Sequence, residues 1–108
     1  MNTAETLELV TFKANSGVTA DQMVAAALAV TPLLRNYDGF ISRSFAAADG
    51  GTWIDAVYWR DRAAAEHAAK VVMQAPVAQA YFALIDQESM VFKHADIATQ
   101  SKGAEADL

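Results

Sequence analysis

The sequence predicts an α+β domain with a four-stranded antiparallel sheet and both main helices on one face. Three observations lead there. Four stretches alternate apolar and polar residues with the period of a strand. Two Ala-containing stretches repeat their apolar residues at helical spacing. Their order is strand, helix, strand, strand, helix, short helix, strand, which makes two βαβ-like halves around a central hairpin, the split βαβ or ferredoxin-like plan.

The first strand is expected over residues 6–13, with Leu7 and Leu9 on one side and Glu8, Val10 and Phe12 on the other. Asn15-Ser16-Gly17 breaks it. Thr19 and Gln22 have capping-box spacing, so a helix follows, carrying Met23, Ala27, Val30 and Leu34 inward. Pro32 leaves the Leu28 carbonyl without a helical donor, which predicts a kink or break there. Residues 40–46 and 52–59 read as the second and third strands, joined at Asp49-Gly50 by a two-residue turn. That register sets Ser44 opposite Asp55 and Ser42 opposite Val57. One face then collects Ser42, Ser44, Trp53, Asp55 and Val57. A three-residue loop would shift the pairing by one and mix the faces. Asp61 caps a helix running to about Gln74, Pro76 opens a short helix over 77–85, and residues 87–94 form the last strand. Residues 1–94 are thus expected to make one domain. Residues 95–108, with only Ile97 and Leu108 as large apolar side chains, are expected to be a flexible C-terminal tail.

A length of 108 residues suits one domain, at roughly 100–200 residues each. Hydrophobic residues make up 54% and charged residues 19%, a composition that can fold around a core. Ala supplies 24 positions, so that core is thin in bulky side chains. The absence of Cys excludes disulfides, thiolate metal sites and a cysteine nucleophile. A net charge of −5 with eight Lys+Arg disfavours nucleic acid and anionic membranes as partners. No basic leader and no apolar run of membrane-spanning length is visible, so a cytoplasmic protein is expected. No HExxH, phosphate loop or dinucleotide fingerprint occurs, and neither a metal nor a cofactor is expected. With helices on one face only, the other face, carrying Phe12, Trp53, Val57, Met90 and Phe92 in this register, is too apolar to leave wet. A homodimer packed sheet against sheet would cover it.

Asp38-Gly39-Phe40 before the second strand, Tyr58-Trp59 closing the third, and the Ala-rich helix after Trp59 form a pattern. The Gln74-Ala75-Pro76 break before a short helix ending Leu84-Ile85-Asp86 completes it. The pattern resembles the antibiotic biosynthesis monooxygenase group of the dimeric α+β barrel superfamily over about residues 5–94. Relatives usually have Pro where Asp38 stands. The resemblance implies the ferredoxin-like fold, a homodimer, and an activity ranging from cofactor-free oxygenation to haem degradation. The haem-degrading branch uses an Asn on the first strand, a helix Trp and a following His. This chain has no Asn at 6–13 and has Val72 and Phe82 in the other two places, which speaks against that branch. Relatives also carry a His on the helix after the strand-ending Trp. His67 answers to it, eight residues after Trp59 and one fewer than the pattern implies.

Two residues are therefore candidates for acid–base work. Asp55 would have its carboxyl beside an indole in an apolar cavity, where its proton affinity rises. His67 offers an imidazole, the side-chain type suited to proton transfer near neutral pH. Phe12, Ser42, Ser44, Trp53, Phe92 and His94 are the candidate substrate contacts, lining a cavity between two sheets. Tyr58, Trp59, Tyr81 and Phe82 read as core. The expected function is a cofactor-independent monooxygenase acting on a small aromatic or quinol-type molecule. The alternative is a non-catalytic dimer that binds a small apolar ligand or regulates through it.

Overall fold

The first strand sets the core. In the computed structural model, which describes residues 4–104, Thr6–Ala14 forms β1 with Thr6, Val10 and Phe12 buried on one side. α1 (Ala20–Arg35) starts on the expected capping box. The Thr19 hydroxyl accepts from the Gln22 N–H at 3.1 Å, and Gln22 Oε1 accepts from the Thr19 N–H at 2.8 Å. β2 (Phe40–Ala47) and β3 (Thr52–Trp59) form the hairpin, and α2 (Arg62–Val71) follows the Asp61 cap. α3 (Pro76–Phe82) opens on its proline, and β4 (Ile85–Asp96) closes the order. The sheet order is β2-β3-β1-β4 with every neighbouring pair antiparallel. α1, α2 and α3 pack on one face, against Val10, Phe12, Val57 and Trp59. This is the ferredoxin-like α+β fold that the element order predicts. Among the described residues no helix is long and apolar enough to cross a membrane.

Four expectations need correction. Pro32 does not break α1, which runs through it to Arg35. The proline falls in the last turn, and Leu28, whose carbonyl loses its donor, is 67% exposed, within reach of water. The hairpin loop has three residues, not two. Asp49–Gly51 make the turn, with Gly50 and Gly51 at φ +77° and +81°, closed by an Ala48 N–H to Thr52 carbonyl bond of 2.8 Å. Ser44 therefore pairs with Ala56, and Phe45 with Asp55.

That single-residue slip exchanges the faces of β2. Arg43 and Phe45 join Asp55 and Val57, while Ser42 and Ser44 join Tyr58 and Ala56. The third correction concerns which face is open. Phe12, Trp53, Val57 and Met90 belong to the helix-covered core or pack against it. The uncovered face carries Leu7, Leu9, Thr11, Ile54, Ala56 and Tyr58 instead. The fourth concerns the end of the domain. β4 continues past His94, with Ala95 and Asp96 paired to Leu7 and Thr6, and Ile97 donates to the Glu5 carbonyl at 2.8 Å. Asp96 holds the Thr6 hydroxyl at 3.2 Å and Arg62 at 3.3 Å, so the sheet extends beyond the expected boundary. Residues 105–108 of the expected tail lie outside the described residues.

Gly39 explains why its motif sits where it does. Its φ is +87°, and a Cβ there would lie 2.6 Å from the Ala64 side chain. Only glycine lets the chain entering β2 pass so close to α2.

Candidate functional site

A cavity of about 90 Å³ lies between the sheet and the helices of the single chain. Its apolar wall includes Val10, Val57 and Trp59 from the sheet, Leu34 from α1, Ala68 from α2, and Phe92 from β4. Four polar side chains reach it: Glu8, Arg43, Asp55 and Tyr81.

Arg43, Asp55 and Tyr81 form one fixed group. The Arg43 fork donates from Nε to Asp55 Oδ1 at 2.9 Å and from Nη2 to Oδ2 at 2.8 Å. Its Nη1 donates to the Ala27 carbonyl and to Thr31 Oγ1, tying β2 to α1. The Tyr81 hydroxyl donates to Asp55 Oδ2 at 2.9 Å. The two charged side chains are only 5% and 9% exposed. Burial works against the Arg43 charge, but the hydrogen bonds and charge of Asp55 outweigh it, holding the guanidinium above its ordinary value. Burial, with the Asp55 charge behind it, pushes the Tyr81 phenol well above its ordinary range. Tyr81 is thus a proton donor that stays protonated. Asp55 is a counter-ion engaged by three donors, an arrangement that holds its neighbours in place.

The second polar group is a pair. His94 Nε2 lies 3.0 Å from Glu8 Oε1, both side chains largely buried. Burial raises the Glu8 carboxyl above its ordinary value, the His94 hydrogen bond opposes that, and the Asp55 charge adds to it. Trp59 contributes a further feature. Its indole Nε1 is buried and has no hydrogen-bond partner among the described residues. A donor left so is costly unless a ligand or water oxygen serves it.

The candidates named from sequence divide by position. Asp55 and Phe92 line the cavity. His94 stands beside it, bonded to Glu8, with its ring edge-on to Phe92 at 4.9 Å. Phe12 is core, in contact with Phe45 and Tyr81 at 6.2 and 6.0 Å between centroids. Trp53 stacks on Phe45 at 5.1 Å. Ser42 and Ser44 are exposed on the opposite face, and His67 is exposed on the outside of α2. Four residues lacked a leading place in the sequence reading: Arg43, Tyr81, Glu8 and Trp59. Glu8 carried a signal, a carboxylate on the strand side shared with Val10 and Phe12. Arg43 was hidden by the hairpin slip. Among the described residues no three His, Asp or Glu side chains are grouped to hold a metal.

No protein-family model matches the sequence, and no curated protein matches it. Solved structures do. A monooxygenase of Streptomyces coelicolor, ActVA-Orf6 in complex with the ligand nanaomycin D, gives a TM-score of 0.72 at 17% identity, over 94% of each chain. A variant of SnoaB, a cofactor-independent oxygenase of Streptomyces nogalater, gives 0.71 at 12% identity, over 90% of this chain and 96% of that one. A provisionally named antibiotic biosynthesis monooxygenase of Caulobacter crescentus gives 0.71 at 13%, over 90% and 92%. At such identities the likeness is one of fold.

Proposed function

We propose, for a chain that carries the fold of the antibiotic biosynthesis monooxygenase-like proteins, a cofactor-independent monooxygenation of a small quinol-type ring in the helix-covered cavity. The observation that carries the reading is the cavity itself: apolar walls with Glu8, Arg43, Asp55 and Tyr81 among its lining residues. Two of the similar structures are of an oxygenase and a monooxygenase. Function does not follow from fold, so the chemistry rests on the site.

A quinol supplies its own electrons. Loss of a hydroxyl proton makes the ring electron-rich enough to reduce oxygen, and a C–O bond forms at a ring carbon. The resulting hydroperoxide loses its O–O bond as the ring C–H proton departs. One oxygen atom stays on the ring as a hydroxyquinone and the other leaves as water, so quinol and O2 become hydroxyquinone and H2O. The protein's part is to bind the anion away from water and to handle protons. Asp55 keeps Arg43 and Tyr81 oriented at the wall. The cavity is small. An engineered hole of roughly 150 Å³ suffices for benzene, so entry of a single ring requires Met73 and Phe92, both substantially exposed at its lining, to turn aside.

Oxygen uptake with a panel of single-ring quinols and dihydroxyarenes tests this. Asp55→Asn is expected to lose at least tenfold in kcat/KM, about 1.4 kcal/mol of transition-state stabilisation. A tenfold loss in His67→Ala with none in Asp55→Asn would move the chemistry to the outer face of α2. Ligand binding with no uptake by any panel member would favour the non-catalytic, ligand-sensing reading.

A second copy is proposed to cover the open sheet face, where Leu7, Leu9, Ile54 and Tyr58 lie together without a helix above them and Val91 is 49% exposed. Such a homodimer would bury more than about 1,000 Å² in total. Sedimentation should show a dimer at micromolar concentration and a monomer on Leu9→Lys. A stable wild-type monomer would contradict it.

A further inference from the structure

Glu8 and His94 face each other across β1 and β4, and they belong to two different hollows. Glu8 lines the inner cavity. His94 lines a shallow groove on the outside, shared with Glu66, His67 and Lys70 of α2. Their 3.0 Å contact, with side chains 10% (His94) and 15% (Glu8) exposed, therefore spans the wall between cavity and solvent. We propose that the Glu8–His94 pair is the proton relay of this site, Glu8 taking the hydroxyl proton of the bound ring and His94 exchanging it with water in the groove. The inference rests on the quinol reading above and adds to it the groups that move the proton.

The step balances. The substrate O–H bond breaks and an O–H bond forms on Glu8. Glu8 passes the proton to Nε2 of an imidazole in the tautomer that carries its own proton on Nδ1, and the imidazolium releases that Nδ1 proton to water. When the O–O bond later breaks, the same path returns a proton to the departing oxygen, so the relay ends as it began. Burial makes the Glu8 carboxylate a better base than an exposed one. The charges around the pair favour this division of labour. On the inner side Glu8 feels Asp55 of β3, which raises its proton affinity, and Arg43 of β2, which lowers it. On the outer side His94 shares its groove with Glu66, His67 and Lys70, and Arg62 donates to its backbone carbonyl at 3.4 Å. Asp55 has three donors fixed on it and His67 does not reach the cavity, so neither is placed for the task.

The test separates proton transfer from oxygen chemistry by removing oxygen. Phloroglucinol, a one-ring trihydroxyarene, exchanges its ring hydrogens with D2O through its anion, and the exchange is read by NMR under argon. The wild-type protein is expected to accelerate it. Glu8→Gln should slow the catalysed exchange at least tenfold while leaving the dissociation constant within twofold. His94→Ala should slow it similarly, and added imidazole should restore it in proportion to concentration. His94→Gln keeps a hydrogen bond to Glu8 without carrying a charge, and it should stay slow. Thermal melts of each variant confirm that it is folded. Exchange at the wild-type rate in Glu8→Gln or His94→Gln would overturn the relay, as would a wild-type protein that binds phloroglucinol without accelerating exchange. Failure to bind it would overturn the relay together with the quinol reading. Catalysed exchange under argon with no oxygen uptake in air would overturn the oxygenase reading alone and leave the relay standing.

Discussion

Arg43→Met is expected to lower the free energy of unfolding by about 3–5 kcal/mol, because it leaves the Asp55 carboxylate buried without its counter-charge. A domain of this kind has only about 5–15 kcal/mol in all. The guanidinium joins β2, β3 and α1, through Asp55, the Ala27 carbonyl and Thr31. Removing it therefore loosens the wall of the cavity as well as the ion pair. The double replacement Arg43→Met, Asp55→Leu should recover most of the loss, since no charge then remains to be solvated. Tyr81 would still lack its acceptor, and adding Tyr81→Phe should recover more. Urea unfolding of the three variants checks this. A single Arg43→Met variant within 1 kcal/mol of wild type, on the order of an exposed ion pair, would mean that water reaches Asp55.

Phe12→Ala should cost about 3–5 kcal/mol, the range for deleting a buried aromatic ring. Phe12 is 1% exposed and packs on Phe45 and Tyr81 at the centre of the sheet. Phe92→Ala should behave differently, although both residues were expected to contact substrate. Phe92 is 45% exposed and stands at the cavity lining against His94. Its loss should change stability by less than about 1 kcal/mol, as substitutions outside the core do, and should weaken ligand binding. Equal melting temperatures for the two variants would show that the core does not centre on Phe12.

The sequence was legible where one local signal decided the outcome. Thr19 and Gln22 announced the start of α1, Pro76 the start of α3, and Gly39 the entry to β2. Side-chain alternation in β1 put Glu8, Val10 and Phe12 on one side correctly. The hairpin was harder. Asp49-Gly50-Gly51 offers three residues able to turn, and two- and three-residue loops differ by one step of register. That step decides whether Ser44 or Phe45 stands beside Asp55, and hence whether Arg43 is inside or out. With a two-residue hairpin loop, the apolar residues of β3 and β4 fall on the open face and a cavity is expected between two sheets. The helices cover them instead, and the site with them. Tyr81 looked like core because a buried tyrosine usually is; its hydroxyl contact with Asp55 joins residues distant in sequence, and no spacing signals it.

On the proposed reading, the cavity of this chain lets a quinol react with oxygen without a cofactor. The most direct measurement is turnover of a bound single-ring quinol by metal-chelated protein under 18O2, with product and water analysed by mass. One 18O atom is expected in the hydroxyquinone and the other in water, with the rate lowered at least tenfold by Glu8→Gln. A product carrying oxygen from solvent water, or a bound quinol that consumes no oxygen, would contradict it.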